Sequence, residues 1–86
     1  MKIMINEKGL RNYRRLLYYK EKHIAVHFDL DTKHEWCNGT IIDLNKDKLT
    51  LVLNEFKKGE YPILLEDINE NSIEPYISKE EKDEKI

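Results

Sequence analysis

The sequence predicts a mainly β domain: a small five-stranded antiparallel barrel preceded by one N-terminal α-helix. Three observations carry that expectation. The apolar period changes from helical to two at His23, and from there five short apolar runs are separated by charged or glycine-bearing turns. The whole β region has only about 55 residues, too few for a two-sheet sandwich of ordinary size, so closure is the economical way to hide strand edges.

Residues 6–22, NEKGLRNYRRLLYYKEK, contain no proline and set Leu10, Tyr13, Leu16 and Leu17 at the spacing of one helical face. Asn6 is the expected N-cap, Glu7 lies at the positive end of the helix dipole, and Gly9 weakens the first turn. Arg11, Arg14 and Arg15 share another face with Tyr18 nearby, because residues three and four apart are neighbours on a helix.

From His23 the alternation HIAVHFDL puts Ile24, Val26, Phe28 and Leu30 on one side of a strand and His23, Ala25, His27 and Asp29 on the other. After the turn DTKH a second strand runs from Glu35 to Leu44. Gly39 in its interior marks a bend or the close approach of another backbone. NKDK turns the chain into a third strand, LTLVLNEF, and KKGE is the next hairpin, with Gly59 suited to a positive φ. YPILLEDI is the fourth strand, NENS a tight turn, and IEPYI a short fifth strand whose Pro75 suits an edge. The expected interior is Ile24, Val26, Phe28, Ile41, Leu44, Leu51, Leu53 and Ile63.

The expected layout is therefore a basic helix over 1–22, a barrel over 23–77 and a charged tail over 78–86. That tail, SKEEKDEKI, has seven charges and one apolar residue, which predicts disorder. With 86 residues the chain makes one domain with one small core, burying about 60–65% of its unfolded surface. A deep catalytic cleft is not expected. No apolar run reaches the length of a membrane span and no secretory leader is read at the start, so the expectation is a soluble, cytoplasmic protein with no membrane partner. Cys37 is the single cysteine, so no disulfide forms within the chain.

The formal net charge of −2 hides an asymmetry: residues 1–23 hold seven basic residues against two acidic ones, +5, which leaves −7 for residues 24–86. A basic head meets an acidic body.

The N-terminal helix, the second strand with GTIIDL at its glycine, the third strand LTLVL, the fourth ending in LLEDI, the break and the fifth strand together resemble the small barrels of the Sm-like and SH3-like group. The likeness spans residues 6–77, and Gly39, Ile41 and Leu44 match the Sm-like second strand. It implies a barrel open between strands four and five, and self-association of subunits through those edges into a homo-oligomer. Sm-like proteins read RNA with an Asp and an Asn between strands two and three and an Arg-Gly pair after strand four. Here Asn45 stands where the Asp would lie, and the Arg-Gly positions fall about at Leu64 and Leu65, so that signature is largely absent.

Function is expected to be non-catalytic binding with no cofactor. Arg11, Arg14 and Arg15 would neutralise phosphates while Tyr13, Tyr18 or Tyr19 stack on bases, a combination suited to single-stranded RNA. The competing expectation is that the arginines pair with the acidic barrel, and that the protein is an interaction module, such as a regulatory subunit or a mobile-element protein that binds a host protein. Trp36 is the candidate aromatic anchor for either partner, while Tyr61 and Tyr76 are open between core and rim. His23 and His27 lie about 13 Å apart along one strand face, too far for one metal. His27, His34 and Cys37 could converge on zinc across the first hairpin, but ordinary strand residues are the expected reading.

Overall fold

A computed structural model describes residues 6–77; the tail expected over 78–86 and the first five residues lie outside them. Helix α1, Glu7–Glu21, starts at Asn6, whose side chain accepts the Gly9 N–H at 2.9 Å, as an N-cap should. Its end is tightened by His23 and Ile24, whose N–H groups donate to the carbonyls of Lys20 and Tyr19. His23 takes a left-handed φ of 56° there, so the expected first strand loses its opening residues to the helix terminus. Strand β1 is Val26–Leu30.

The other strands are β2 (Glu35–Asn45), β3 (Thr50–Glu55), β4 (Gly59–Leu64) and β5 (Glu74–Pro75), antiparallel in the order β4-β3-β2-β1-β5. Five antiparallel strands behind a helix are as expected, but the sheet is open rather than closed into a barrel. The expected fourth strand stops at Leu64, and the chain then makes two 3-10 turns, Leu65–Asp67 and Glu70–Ser72. The expected fifth strand keeps only two paired residues. What remains is too short to bridge β4 to β1.

Long β2 has two special positions. A bulge at Ile42 shifts the register between Ile41 and Asp43, which increases local twist. At Gly39 the backbone of β3 comes so close that a Cβ would lie 2.2 Å from the carbonyl oxygen of Asn54. The strand glycine is therefore a site of close backbone approach.

Leu16, Val26, Phe28, Leu30, Cys37, Leu51, Leu53, Ile63, Leu65 and Ile68 form the buried core. Five of the eight residues expected inside are there. Ile24, Ile41 and Leu44 are half-buried instead, because the first belongs to the helix terminus and the others flank the bulge. The helix buries Gly9, Asn12 and Leu16, a stripe whose middle member is polar. Fully burying Leu16 contributes about 1.5–3 kcal/mol. Asn12 lies in the core with its Nδ2 donating to the carbonyls of Leu65 (2.7 Å) and Ile68 (3.0 Å). Those two bonds fasten the first 3-10 turn under the helix.

Replacing Asn12 with Ala leaves the Ile68 carbonyl without its donor and the Leu65 carbonyl with only the Ile68 N–H at 3.3 Å, so a loss of about 1–3 kcal/mol is expected in urea unfolding followed by circular dichroism. Gly39→Ala forces backbone against backbone, and an overpacking loss of about 1–3 kcal/mol is expected in the same assay. A Gly39→Ala protein as stable as wild type would mean that β2 and β3 separate freely at that point.

Candidate functional site

The basic helix face is not an open cationic patch. Arg11 grips the Glu70 carboxylate with two nitrogens, Nε to Oε2 at 2.7 Å and Nη2 to Oε1 at 3.1 Å. Arg15 donates from Nη1 to the Glu70 carbonyl oxygen at 2.8 Å. The hydrogen bond from Arg11, followed by its charge, holds the Glu70 carboxyl below its ordinary range, and the same bond raises Arg11. Two of the three arginines thus dock the helix on the second 3-10 turn. Arg14 is exposed and makes no hydrogen bond or ion pair among the described residues. Tyr18 is 55% exposed, sits edge-on to Tyr19 with ring centres 5.6 Å apart, and shares a shallow groove with Arg15, Tyr19 and Ile73.

Trp36 is elsewhere. Along β1 and β2 the residues Val26, Phe28, Leu30, Cys37 and Gly39 face inward, so His27, Trp36 and Asn38 face out. Trp36 is 53% exposed and stacks flat on His27, with centroids 4.4 Å apart and planes 5° from parallel. His27 Nδ1 meets Asn38 Oδ1, and its Nε2 lies 3.8 Å from Glu74 Oε1 on the neighbouring β5. Tyr76 extends that pairing by donating its N–H to the Ala25 carbonyl. Its ring meets Phe56, 54% exposed, at 5.0 Å and 66°. Beside His27 and Tyr76 lies a cleft of about 270 Å³, lined by these two and by Asn38, Glu74, Pro75 and Ile77.

Phe56 is held by a buried acid. Glu55, 4% exposed, accepts the backbone N–H groups of Lys57 (2.8 Å), Lys58 (3.1 Å) and Asn38 (3.1 Å), while the Phe56 N–H donates to the Asn38 carbonyl at 2.9 Å. Burial pushes the Glu55 carboxyl up, but the backbone donors outweigh it and leave it below the ordinary range. The hairpin completes its turn at Gly59, with φ 79°.

The three side chains considered for zinc do not converge. Cys37 points into the core and His27 away from it, and His34 is exposed in a left-handed turn with φ 50°. Burial pushes the Cys37 thiol up to about 11. No group of three metal-ligating side chains forms among the described residues. No helix among them is long and apolar enough to cross a membrane.

Of the five residues expected to bind, the fold brings Arg15 beside Tyr18, ties Arg11 and Arg15 to Glu70, and sets Trp36 in a different cluster. His27 and Asn38 belong with Trp36, and strand parity is the signal that marks them. Phe56 and Tyr76 join through the β1–β5 pairing and the β3–β4 turn, which no local pattern specifies. Comparison with family models, with curated proteins and with solved structures finds no match to the chain. The chemistry of the cluster itself therefore carries the functional reading.

Glu55, Glu35 and Glu70 all have folded carboxyls below the ordinary value of 4.5. A depressed acid contributes stability that is complete above its unfolded value and is lost as pH falls through the folded one. The contribution of these three acids to the unfolding free energy is expected to be flat above about pH 5 and to decline below about 4.5. Glu55→Gln should make that decline shallower in urea titrations across pH. An unchanged slope would show that Glu55 is no more stabilised as an anion when folded than when unfolded.

Proposed function

We propose that the protein is a non-catalytic protein-interaction module that docks its partner on the outer face of the sheet, over Trp36, Phe56, His27 and Tyr76. One observation carries the reading: two large aromatic side chains, each about half exposed, one on β2 and one in the β3–β4 turn that Glu55 holds, are each packed against another ring. Aromatic side chains held in this way contribute large contact area with little loss of conformational freedom, and they are enriched at interface hot spots.

The Sm-like RNA-associated reading rests on the helix. It is supported by the strand order, with β5 returning to β1, and by the groove where Arg15 meets Tyr18. Against it, Arg11 and Arg15 are already engaged by Glu70, which leaves Arg14 to face a phosphate. Residues 24–77 hold five lysines against eleven acids, a net −6 that repels nucleic acid. The free edge of β4 favours self-association as a further property of the module, although Pro62 has no N–H to donate there. A single cysteine with no disulfide partner in the chain supports a cytoplasmic setting.

Capture from native cells is expected to retain a defined set of proteins after ribonuclease treatment. Trp36→Ala with Phe56→Ala should lose that set, and Arg14→Ala with Tyr18→Ala should keep it. If ribonuclease removes the captured material and the Arg14/Tyr18 variant fails to bind poly(U) that wild type binds at low salt, the RNA reading replaces this one. Self-association is checked by light scattering, where a monomer mass at high concentration excludes it.

A further inference from the structure

The interface reading leaves open what kind of segment the aromatic face would take. Its charges narrow the choice. Glu74 lines the cleft beside Tyr76 with its side chain 65% exposed, and its only ionic neighbour among the described residues is His27 at 3.8 Å. Asp29 stands directly opposite Trp36 in the β1–β2 register and faces outward. Its Oδ1 is buried without a hydrogen-bond donor among the described residues, and no lysine or arginine among them forms an ion pair with it. Glu35, Asp31 and Glu70 have their cations on the chain itself, while Asp43, Asp47, Glu60, Glu66 and Asp67 are likewise in no ion pair among the described residues. At the aromatic cluster two carboxylates flank the rings with no such cation. Lys57, next to Phe56 in the chain, is exposed and in no ion pair among the described residues.

We infer, on the basis of the interface reading, that the occupant of this face is a basic segment of a partner protein that seats a lysine or arginine side chain in the cleft between Tyr76, His27 and Glu74. A cation over an aromatic face is attracted by the ring quadrupole, and a carboxylate at the rim adds a charged hydrogen bond. The cleft volume suits one long side chain rather than a folded element. The net −6 of residues 24–77 draws the same sign of partner from a distance. Trp36, stacked on His27, and Phe56, against Tyr76, would cover the apolar residues adjoining the anchor.

The test is selection of a random-peptide display library on the intact protein, followed by fluorescence titration of the enriched synthetic peptides. The expected result is a lysine or arginine at one fixed position of the enriched peptides. Its replacement by norleucine, or Glu74→Gln in the protein, should weaken binding about tenfold, as loss of a charged hydrogen bond does. Trp36→Ala should remove binding, with thermal midpoints showing that each variant stays folded. Enriched peptides that need Trp36 and Phe56 but hold no basic residue, or that ignore Glu74→Gln, overturn the cationic anchor and leave the interface reading standing. If no enriched peptide depends on Trp36 or Phe56, or if poly(U) rather than peptide perturbs Trp36 fluorescence, both fall.

Discussion

The carboxamide of Asn12, bridging the carbonyls of Leu65 and Ile68, is the constraint from which most of the architecture follows. A polar side chain in the middle of a buried helical stripe is unfavourable unless its donors are used, and here both bonds go to the segment that leaves β4. That segment would otherwise continue as strand. Held under the helix, it turns instead, and Asp31 N–H to the Asp67 carbonyl, Asn69 N–H to the Asp29 carbonyl and the Leu30–Ile68 bridge lay it along β1. The sheet stays open because its closing strand has been recruited as a clasp for the helix.

The clasp also decides the fate of the basic helix. Once the second 3-10 turn lies beside α1, Glu70 offers a carboxylate and a carbonyl to Arg11 and Arg15. A bidentate guanidinium–carboxylate pair fixes direction as well as charge, so the helix is oriented by contacts at both its buried and its exposed faces. The same segment carries β5 back to β1 and so delivers Glu74 and Tyr76 to the side of His27. Helix docking and the aromatic face are two ends of one connection.

Much of this was legible in the sequence. The period change, the turn residues and Gly39 gave five strands behind a helix, because side-chain parity and glycine requirements are local. The alternation through Val26 and Phe28 also put His27 outside. What local pattern did not carry was the ending of β4 at Leu64: LLEDI reads as strand until Asn12, over fifty positions away, claims the carbonyls of Leu65 and Ile68. Asn12 itself reads as a solvated helical residue among polar neighbours. The three arginines show the reverse error, since a charge cluster visible in the chain is partly neutralised by a glutamate that folding brings to it. Phe56 was hidden for a similar reason, because the acid that fixes its turn, Glu55, looks like any surface glutamate.

The lone thiol has a use that follows from its position. Cys37 lies wholly inside, opposite Phe28 in the first hairpin, and as a neutral thiol near pH 7 it is a poor nucleophile. An alkylating reagent meets a reactive thiolate only in molecules whose core has opened. The rate at which such a reagent consumes the protein is therefore a clock for the uncovering of the inner face of its sheet, running without any added label and free of interference from a second sulfhydryl.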